Sequence, residues 1–237
     1  MGTPVVQLEQ IVFRWPAQEQ PCLDISRLEL QAAERVFLHG PSGSGKSTLL
    51  GLLGGVLVPE HGSVRVLGVQ LNASSPAARD CFRADHVGFI FQQFNLIPYL
   101  SAIENVMLPC RFSVRRGDLA VAQGMSWHEA AARLMTHLDL EPVLHNRLAT
   151  SLSVGQQQRV AAARALIGRP ELVIADEPTS ALDAERQRIF LDLLLSECAQ
   201  AGTTLLFVSH DRRLAETFDR EVALASINGA VGESKSA

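Results

Sequence analysis

The sequence predicts an α/β domain with a mostly parallel sheet, crossover helices and an antiparallel β edge. Short apolar runs of strand length alternate with helix-like segments along most of the chain. Two of these runs, residues 171–176 and 204–210, are continuous apolar runs, as expected for strands that are buried on both faces. Between about residues 94 and 166 helical spacing dominates, which indicates a helical part inserted into the sheet domain.

The individual elements have their own signatures in chain order. Residues 35–40 (RVFLHG) form a short apolar run that ends in glycine, which is typical of a strand before a turn. Residues 115–126 (RRGDLAVAQGMS) predict a loop, whereas residues 128–140 (HEAAARLMTHLDL) carry apolar side chains at helical spacing. Residues 221–232 (EVALASINGAVG) predict two strands around an Asn228-Gly229 hairpin turn.

Composition and charge are those of a cytosolic protein that does not bind nucleic acid. The 237 residues carry a net charge of −4 and no cluster of Lys and Arg, so we expect no nucleic-acid partner. The four cysteines have no CxxC spacing and predict reduced thiols. No signal-peptide pattern is present, and the most apolar stretch, residues 49–58, is too short to cross a bilayer. We therefore expect a soluble chain, with a disordered tail over the last residues (GESKSA).

Residues 40–48 (GPSGSGKST) match the pattern of a phosphate-binding loop and predict a nucleoside triphosphate site. Glycines let backbone N–H groups close around phosphate oxygens, and the following helix presents its positive N-terminal end. Lys46 is expected to reach the β- and γ-phosphates, and the Ser47 hydroxyl to ligate Mg²⁺. A glycine-rich turn without this function is a poor alternative, because so many positions are specified. The expected nucleotide-binding residues here are Gly40, Pro41, Ser42, Gly43, Ser44, Gly45, Lys46, Ser47 and Thr48.

Three further polar residues lie at the ends of two apolar runs that predict buried strands. Asp176 ends the run LVIAD, where it can hold Mg²⁺ through water, and the adjacent Glu177 is free to orient or deprotonate an attacking water. His210 ends the next apolar run, from which it can contact the γ-phosphate. Carboxylates after a strand are often solvated loop residues, but their place after a phosphate-binding loop favours catalysis.

Six short motifs occur in an order that resembles one known family, the ATP-binding cassette (ABC) ATPases. They are similar to that family's Walker A, Q-loop, signature, Walker B, D-loop and H-loop, and they read GPSGSGKST, GFIFQQ, LSVGQQQRV, LVIADEPT, SALD and VSHD. The similarity covers nearly the whole chain. Residues 89–109 and the stretch ADEPTSALDA look like the LolD/MacB/FtsE branch. The chain departs from the family at Ala149, where many relatives have proline, and at Val154, the first signature glycine.

The resemblance implies a P-loop NTPase fold of the ABC ATPase type in a single domain over residues 1–237. Its RecA-like core would comprise about residues 1–92 and 166–232, and its helical subdomain about residues 93–165. It implies an ATPase that uses ATP and Mg²⁺, forms a homodimer and docks on integral membrane permease subunits (FtsX/MacB-like) at the cytoplasmic side of the inner membrane. The alternative is an FtsE-like regulatory ATPase that signals without transport. A DNA-repair ATPase is disfavoured, because the spacing from Gln92 to Ser153 leaves no room for a long coiled coil.

The resemblance also assigns roles residue by residue. The catalytic set is Glu177, His210, Lys46 and Gln92, and the metal ligands are Ser47, Gln92 and Asp176. Gln92 would sense Mg²⁺ and the attacking water. The signature residues Ser153, Gly155 and Gln156 would face the γ-phosphate bound by the other subunit, and Ser180 and Asp183 of the D-loop would meet the dimer interface.

Taken alone, the spacing S-x-x-Q from Ser153 to Gln156 predicts only a capped helix start. In that geometry Ser153 is the N-cap and Val154 is N1, where an ordinary helical φ gives valine no left-handed strain. The close approach to phosphate then falls on Ser153 and Gly155, both retained. We therefore expect the signature to be intact despite Val154.

Two groups of apolar residues have competing interpretations. Phe13 and Trp15 alternate onto one face of a strand, and we favour Trp15 over Phe13 as the ring that stacks on adenine. An apolar group after Gln92 is either core or part of a groove that receives a helix of the membrane subunit, with some side chains exposed. Its members are Phe94, Leu96, Ile97, Pro98 and Tyr99.

Overall fold

A five-stranded parallel sheet forms the centre of the computed structural model, which describes residues 3–122 and 124–231. Every pairing in this sheet is parallel, and the three strands expected near residues 35, 171 and 204 are all present. All five residues of the strand Thr204–Val208 are buried, because one face packs against helices and the other against a helix and the second sheet. In the order β6-β7-β8-β3-β9 the strands are Val87–Ile90, Leu172–Asp176, Thr204–Val208, Arg35–His39 and Arg220–Ala223.

The antiparallel part is a separate four-stranded sheet made by the first part of the chain. Apolar side chains of its strands point to one side and join the buried cluster that also covers the parallel sheet. In the order β2-β1-β4-β5 the strands are Leu23–Leu30, Val6–Phe13, His61–Val66 and Val69–Gln70.

Eight α-helices lie among the described residues. The first two pack with the sheets, the next three form the helical part between β6 and α6, and α6 and α7 flank the parallel sheet. From α1 to α8 they are Lys46–Leu53, Pro76–His86, Ala102–Phe112, Val114–Val121, Trp127–His137, Val154–Leu166, Ala184–Ala201 and Leu224–Ile227. None of the helices within residues 3–122 and 124–231 is both long and apolar enough to span a membrane.

The loop predicted over residues 115–126 is wrong, because most of that stretch is α4 (Val114–Val121). Ser113 caps this helix by accepting a hydrogen bond from the Arg116 N–H at 3.0 Å. Arg116, which looks like a solvated loop residue in the sequence, is buried and donates to the carbonyls of Ala165 and Ile167 at 2.7 and 2.8 Å. A polar helix is stable here because its cation satisfies carbonyls at the end of α6.

The hairpin predicted around Asn228-Gly229 is also wrong. Strand β9 ends at Ala223 and is followed by the short helix α8 and a 3-10 turn, Gly229–Val231. Asn228 is buried, and its side chain accepts from the Asp24 N–H at 2.8 Å and donates to the Cys22 carbonyl at 3.1 Å. These bonds attach the C-terminal part of the chain to the start of β2, and the described residues after β9 do not form a second strand of a hairpin. The tail predicted over the last residues lies outside the described part of the chain.

Candidate functional site

The phosphate-binding loop connects β3 to α1 at the carboxyl edge of the parallel sheet. Gly43 and Gly45 have φ values of 77° and 99°, in the left-handed region that favours glycine. A Cβ atom at Gly45 would lie 2.7 Å from the Leu23 side chain, so the loop also needs glycine for space. The buried Lys46 donates from Nζ to the carbonyls of Gly40 and Pro41 at 2.8 and 3.0 Å. Its ammonium is therefore held against the loop.

Parallel strands bring the predicted acidic residues to the same edge. Asp176 ends β7 and pairs with Val208 at the end of β8, and the Glu177 N–H donates to the Val208 carbonyl at 3.0 Å. Glu177 has a φ of 47°, a left-handed conformation that is uncommon for a residue other than glycine. It directs the carboxylate to His210, whose Nε2 lies 2.6 Å from Glu177 Oε1.

Asp176 is a partly buried carboxyl group with a raised pKa. Burial is the main cause, since it disfavours the charged form, and the neighbouring Glu177 raises the pKa further. Lys46 and His210 act in the opposite direction and lower the pKa of Asp176. A nearby cation stabilises a carboxylate that is desolvated in this way, and a bound metal ion would supply such a cation.

A cavity of about 770 Å³ joins these groups. Besides the whole loop from Pro41 to Thr48, its walls include Trp15, Gln92, Asp176, Glu177 and His210. The buried Ser44 hydroxyl has no hydrogen-bond partner among the described residues, and it lies in a loop shaped for phosphate. Ser47 and Asp176 fit a magnesium ion, although the described residues contain no group of three His, Cys, Asp or Glu that could hold a metal. An ion here would therefore take further ligands from the phosphates.

The two candidate rings near the N-terminus have different environments. Trp15 is 40% exposed and lines the cavity, whereas Phe13 is buried. Their ring centroids are 5.2 Å apart in an edge-to-face arrangement, so the buried ring supports the exposed one. Trp15 is thus the ring of this pair that a ligand in the cavity can reach.

The signature residues form a capped helix start away from that cavity. Ser153 is the N-cap of α6, its Oγ accepts from the Gln156 N–H at 3.3 Å, and Gln156 Oε1 accepts from the Ser153 N–H at 2.9 Å. Val154 is N1, as predicted, and its side chain is 49% exposed. Among residues 3–122 and 124–231, a Cβ atom added at Gly155 would meet only the Leu182 side chain, at 3.8 Å. This end of α6 is therefore open to an external partner.

The D-loop residues also lie outside the cavity. Asp183 is the N-cap of α7, and its Oδ1 accepts from the Arg186 N–H at 2.9 Å. The sequence motif SALD gives no indication of this structural role, although Asp is a common N-cap residue. Ser180 is exposed one turn earlier and bonds through its N–H to the Glu177 carbonyl at 3.3 Å.

A second, mostly apolar cavity of about 1010 Å³ lies between the sheet part and the helical part. We call it the apolar groove; its lining includes Leu50, Val56, Phe89, Phe91, Leu108 and Phe112. Phe112 is 78% exposed. Of the apolar group after Gln92, Phe94 is core, which is the first of the two alternatives and excludes it as a docking residue, whereas Tyr99 is 76% exposed.

Arg164 of α6 is a further residue near the site that no sequence motif indicates. Its side chain lies beside the groove and donates to the carbonyls of Phe94 and Asn95, just after Gln92. These acceptors are about 70 residues away along the chain, so no local pattern reveals the contact.

Comparisons with known proteins identify a family and similar chains. The family model for ABC transporters matches residues 23–180. YbbA of Escherichia coli, an uncharacterized ABC transporter ATP-binding protein, is 43% identical over 206 residues, which cover 87% of this chain and 86% of YbbA. LolD of Anaeromyxobacter dehalogenans, a lipoprotein-releasing system ATP-binding protein, is 42% identical over 226 residues, which cover 94% of this chain and 92% of LolD.

A solved structure of the ATP-binding cassette MJ0796 from Methanocaldococcus jannaschii shows the same fold. It is a dimer in a post-hydrolysis state bound to ADP and Pi. Its TM-score to this chain is 0.81 at 35% identity, over 92% of this chain and 93% of that chain. The predicted ABC ATPase fold is confirmed by this match.

Proposed function

This chain belongs to the ABC transporter family as an ATP-binding ATPase subunit, and we propose that two copies close around two ATP molecules to drive a membrane permease. The observation that carries the proposal is that the motif residues lie on two separate surfaces of one chain. The phosphate-binding loop, Asp176, Glu177 and His210 surround one cavity, whereas the capped start of α6 lies outside it. A second copy would bring the missing half.

The residues of the cavity have distinct proposed roles. The loop N–H groups and Lys46 would bind the phosphates, and Trp15 would stack on adenine. Ser47, Asp176 and Gln92 would hold Mg²⁺, which supplies charge neutralisation on the phosphate oxygens. Each of these side chains lines the same cavity, which supports the assignment.

Glu177 is proposed as the base that orients the attacking water, with His210 as its partner. Their 2.6 Å contact places a group that can stabilise phosphate charge beside the group that accepts the proton. Because phosphoryl transfer depends mainly on positioning and charge, the rigid strand ends that carry both residues support this role.

The start of α6 is proposed to contact the ATP bound by the other copy. Its free N–H groups and helix dipole favour an anion, and Ser153 and Gly155 leave space for a phosphate to approach. The open surroundings of Gly155 support this, since no neighbour among the described residues requires a glycine there. Ser180 and Asp183 would lie at the same interface.

The apolar groove is proposed as the docking site for a helix of an integral membrane permease of the LolCDE/MacB/FtsEX type. Exposed apolar side chains such as Phe112 fit the apolar face of a short amphipathic helix. The protein would then sit at the cytoplasmic face of the inner membrane as a peripheral subunit. We also propose that the chain is one domain, with a RecA-like core over about residues 1–92 and 166–232 and a helical subdomain over about residues 93–165.

The test is Glu177→Gln, which keeps the size of the side chain but cannot accept a proton. ATP should still bind, turnover should fall at least about 10²-fold, and an ATP-dependent dimer should appear in size-exclusion chromatography. Glu60→Gln, an exposed change in a loop of the antiparallel sheet, is the matched control and should behave as wild type. A Glu177→Gln protein that stays monomeric with ATP, alone and with its membrane partner, would contradict the proposal.

A further inference from the structure

Gln92 lies on a turn whose backbone is strained. The Phe94 N–H donates to the Phe91 carbonyl at 2.9 Å, which makes Gln92 the second residue of a turn that follows β6. Phe94 and Asn95 then adopt φ values of 59° and 49°, in the left-handed region. Two successive residues other than glycine keep this conformation only where neighbouring groups hold it.

Arg164 of α6 supplies two of those contacts. Its Nη1 donates to the Asn95 carbonyl at 2.7 Å, and its Nη2 donates to the Phe94 carbonyl. Burial lowers the pKa of Arg164, yet a guanidinium stays charged, and its planar fork suits two adjacent acceptors. The strained pair is therefore attached to the helix that starts at Ser153.

Other contacts attach the same segment to the helical part. The Phe94 ring packs in the core cluster that contains Val106 of α3 and Val160 of α6. Asn105 of α3 is fully buried, accepts from the Ile97 N–H at 2.8 Å and donates to the Ile97 carbonyl at 3.1 Å. The segment after Gln92 is thus held by the helices α3 and α6, whereas the residues before Gln92 continue from strand β6.

We propose that Arg164 is a positioning residue that transmits a displacement of α6 to Gln92. The inference rests on the proposed function, in which the start of α6 contacts the partner's ATP and Gln92 faces the ATP of its own chain. A shift of α6 would move the carbonyls of Phe94 and Asn95 through the guanidinium, and Gln92 precedes them by two and three residues. Arg164 and Asn95 also line the apolar groove, so a helix bound there would act on the same contact.

Steady-state ATPase kinetics of Arg164→Met test the contact. We expect kcat to fall about tenfold or more, whereas the KM for ATP stays within about threefold because the phosphate-binding loop is untouched. Arg164→Lys should recover part of kcat, since an ammonium can still reach one carbonyl. Arg159→Met is the matched control: Arg159 lies on the same helix and donates to the carbonyl of Asp139, which also has a positive φ of 59°. It should change kcat by less than about twofold.

A double-mutant cycle with Gln92→Ala separates positioning from general stability. If Arg164 acts through Gln92, Arg164→Met should lower kcat by less than about twofold further in the Gln92→Ala protein. The inference is overturned if Gln92→Ala lowers kcat and Arg164→Met lowers it by its full factor again in the double mutant. That result leaves the proposed function standing. Gln92→Ala with normal turnover overturns both. Where melting shows that Arg164→Met does not fold, the Arg164→Lys cycle gives the same comparison.

Discussion

Nε2 of His210 lies 2.6 Å from Oε1 of Glu177, across the carboxyl ends of the neighbouring strands β8 and β7. The two residues reach each other for different reasons. His210 follows its strand by two residues, whereas Glu177 follows directly and turns through a left-handed φ of 47°. Both backbones are fixed by the Glu177 N–H bond to the Val208 carbonyl. The pair is therefore preorganised in the isolated chain.

His210→Ala should slow ATP hydrolysis by about 10²–10³-fold, the range for loss of one preorganised electrostatic contact in an active site. ATP binding should persist, because the phosphate-binding loop does not depend on His210. Initial rates of phosphate release and equilibrium binding of a fluorescent ATP analogue measure the two effects. His210→Gln, which keeps a hydrogen-bonding group near Glu177, should lose less activity than His210→Ala. Turnover of His210→Ala within about threefold of wild type would contradict the proposed role.

The sequence predicts those parts of the site that depend on short motifs. The loop from Gly40 to Thr48 and the strand ends at Asp176 and His210 are visible because each is a local pattern next to an apolar run. Parallel strands then bring the ends together without further information. By contrast, Asn228 binds Asp24, about 204 residues away, so a residue that looks like a turn signal is a buried anchor.

The sequence did not predict helix α4 for a related reason. Arg116 lies in a polar, glycine-containing stretch, and its burial depends on carbonyls at the end of α6, about 50 residues away. A sequence pattern cannot show that those carbonyls lack other partners. The same argument covers Arg164, whose acceptors are strained backbone carbonyls in another element.

Asp176→Asn should stabilise the nucleotide-free protein at neutral pH. The pKa of Asp176 is raised in the folded state, mainly by burial, so its contribution to stability is present at acid pH and is lost as the pH rises through the folded pKa. A neutral Asn avoids that loss, and we expect a melting temperature a few degrees above wild type at pH 7. The difference should shrink as the pH falls and Asp176 becomes protonated. Turnover should be nearly abolished at all pH values.

Asp219→Asn is the control with the opposite sign. Arg35 holds the pKa of Asp219 below its usual range, so this carboxylate adds stability above the unfolded pKa and loses it as the pH falls. Melting curves measured from neutral pH into the acid range should show the two variants shifting in opposite directions at neutral pH. A lower melting temperature for Asp176→Asn at pH 7 would contradict the burial argument.

Trp15→Ala should raise the KM for ATP about three- to tenfold, as expected for loss of one aromatic contact of about 1 kcal/mol. Trp15→Phe should restore most of the affinity, because stacking requires a ring and not the indole N–H. Phe13→Ala serves as the comparison. Phe13 is buried, so this change should lower the melting temperature more than Trp15→Ala does. If Trp15→Ala leaves the KM for ATP unchanged, the adenine ring of ATP lies elsewhere in the cavity.

Phe112→Glu should prevent co-purification with the membrane partner and leave ATP binding intact. Phe112 is 78% exposed in the apolar groove, so a charge there should not unfold the chain but should oppose an apolar helix. Val69→Glu, at a residue 42% exposed in the antiparallel sheet, is the control and should keep the partner. Affinity purification from detergent-solubilised membranes measures both. Equal recovery of the partner with Phe112→Glu and wild type would exclude the groove as the docking site.

Val154→Gly and Gly155→Asp should differ sharply although the positions are adjacent. Val154 is N1 of a capped helix with its side chain half exposed, so glycine there should change turnover by less than about fivefold. In the described part of the chain, a Cβ atom at Gly155 would meet only Leu182, at 3.8 Å, so Asp should leave the melting temperature unchanged. In the closed dimer it would face the phosphate of the other copy, and turnover should fall about 10²-fold or more.

The comparison requires both variants to be assayed with melting curves and with ATPase rates at several protein concentrations. Gly155→Asp that lowers the melting temperature in proportion to activity would indicate a folding lesion and not a contact with the partner's ATP. A mixture of Gly155→Asp with Lys46→Ala supplies a further distinction, because each mixed dimer has one site that lacks both functions and one site that lacks neither. Some activity should therefore return on mixing, as expected for a site shared between two chains. A large gain of turnover from Val154→Gly would show instead that valine slows the wild-type enzyme.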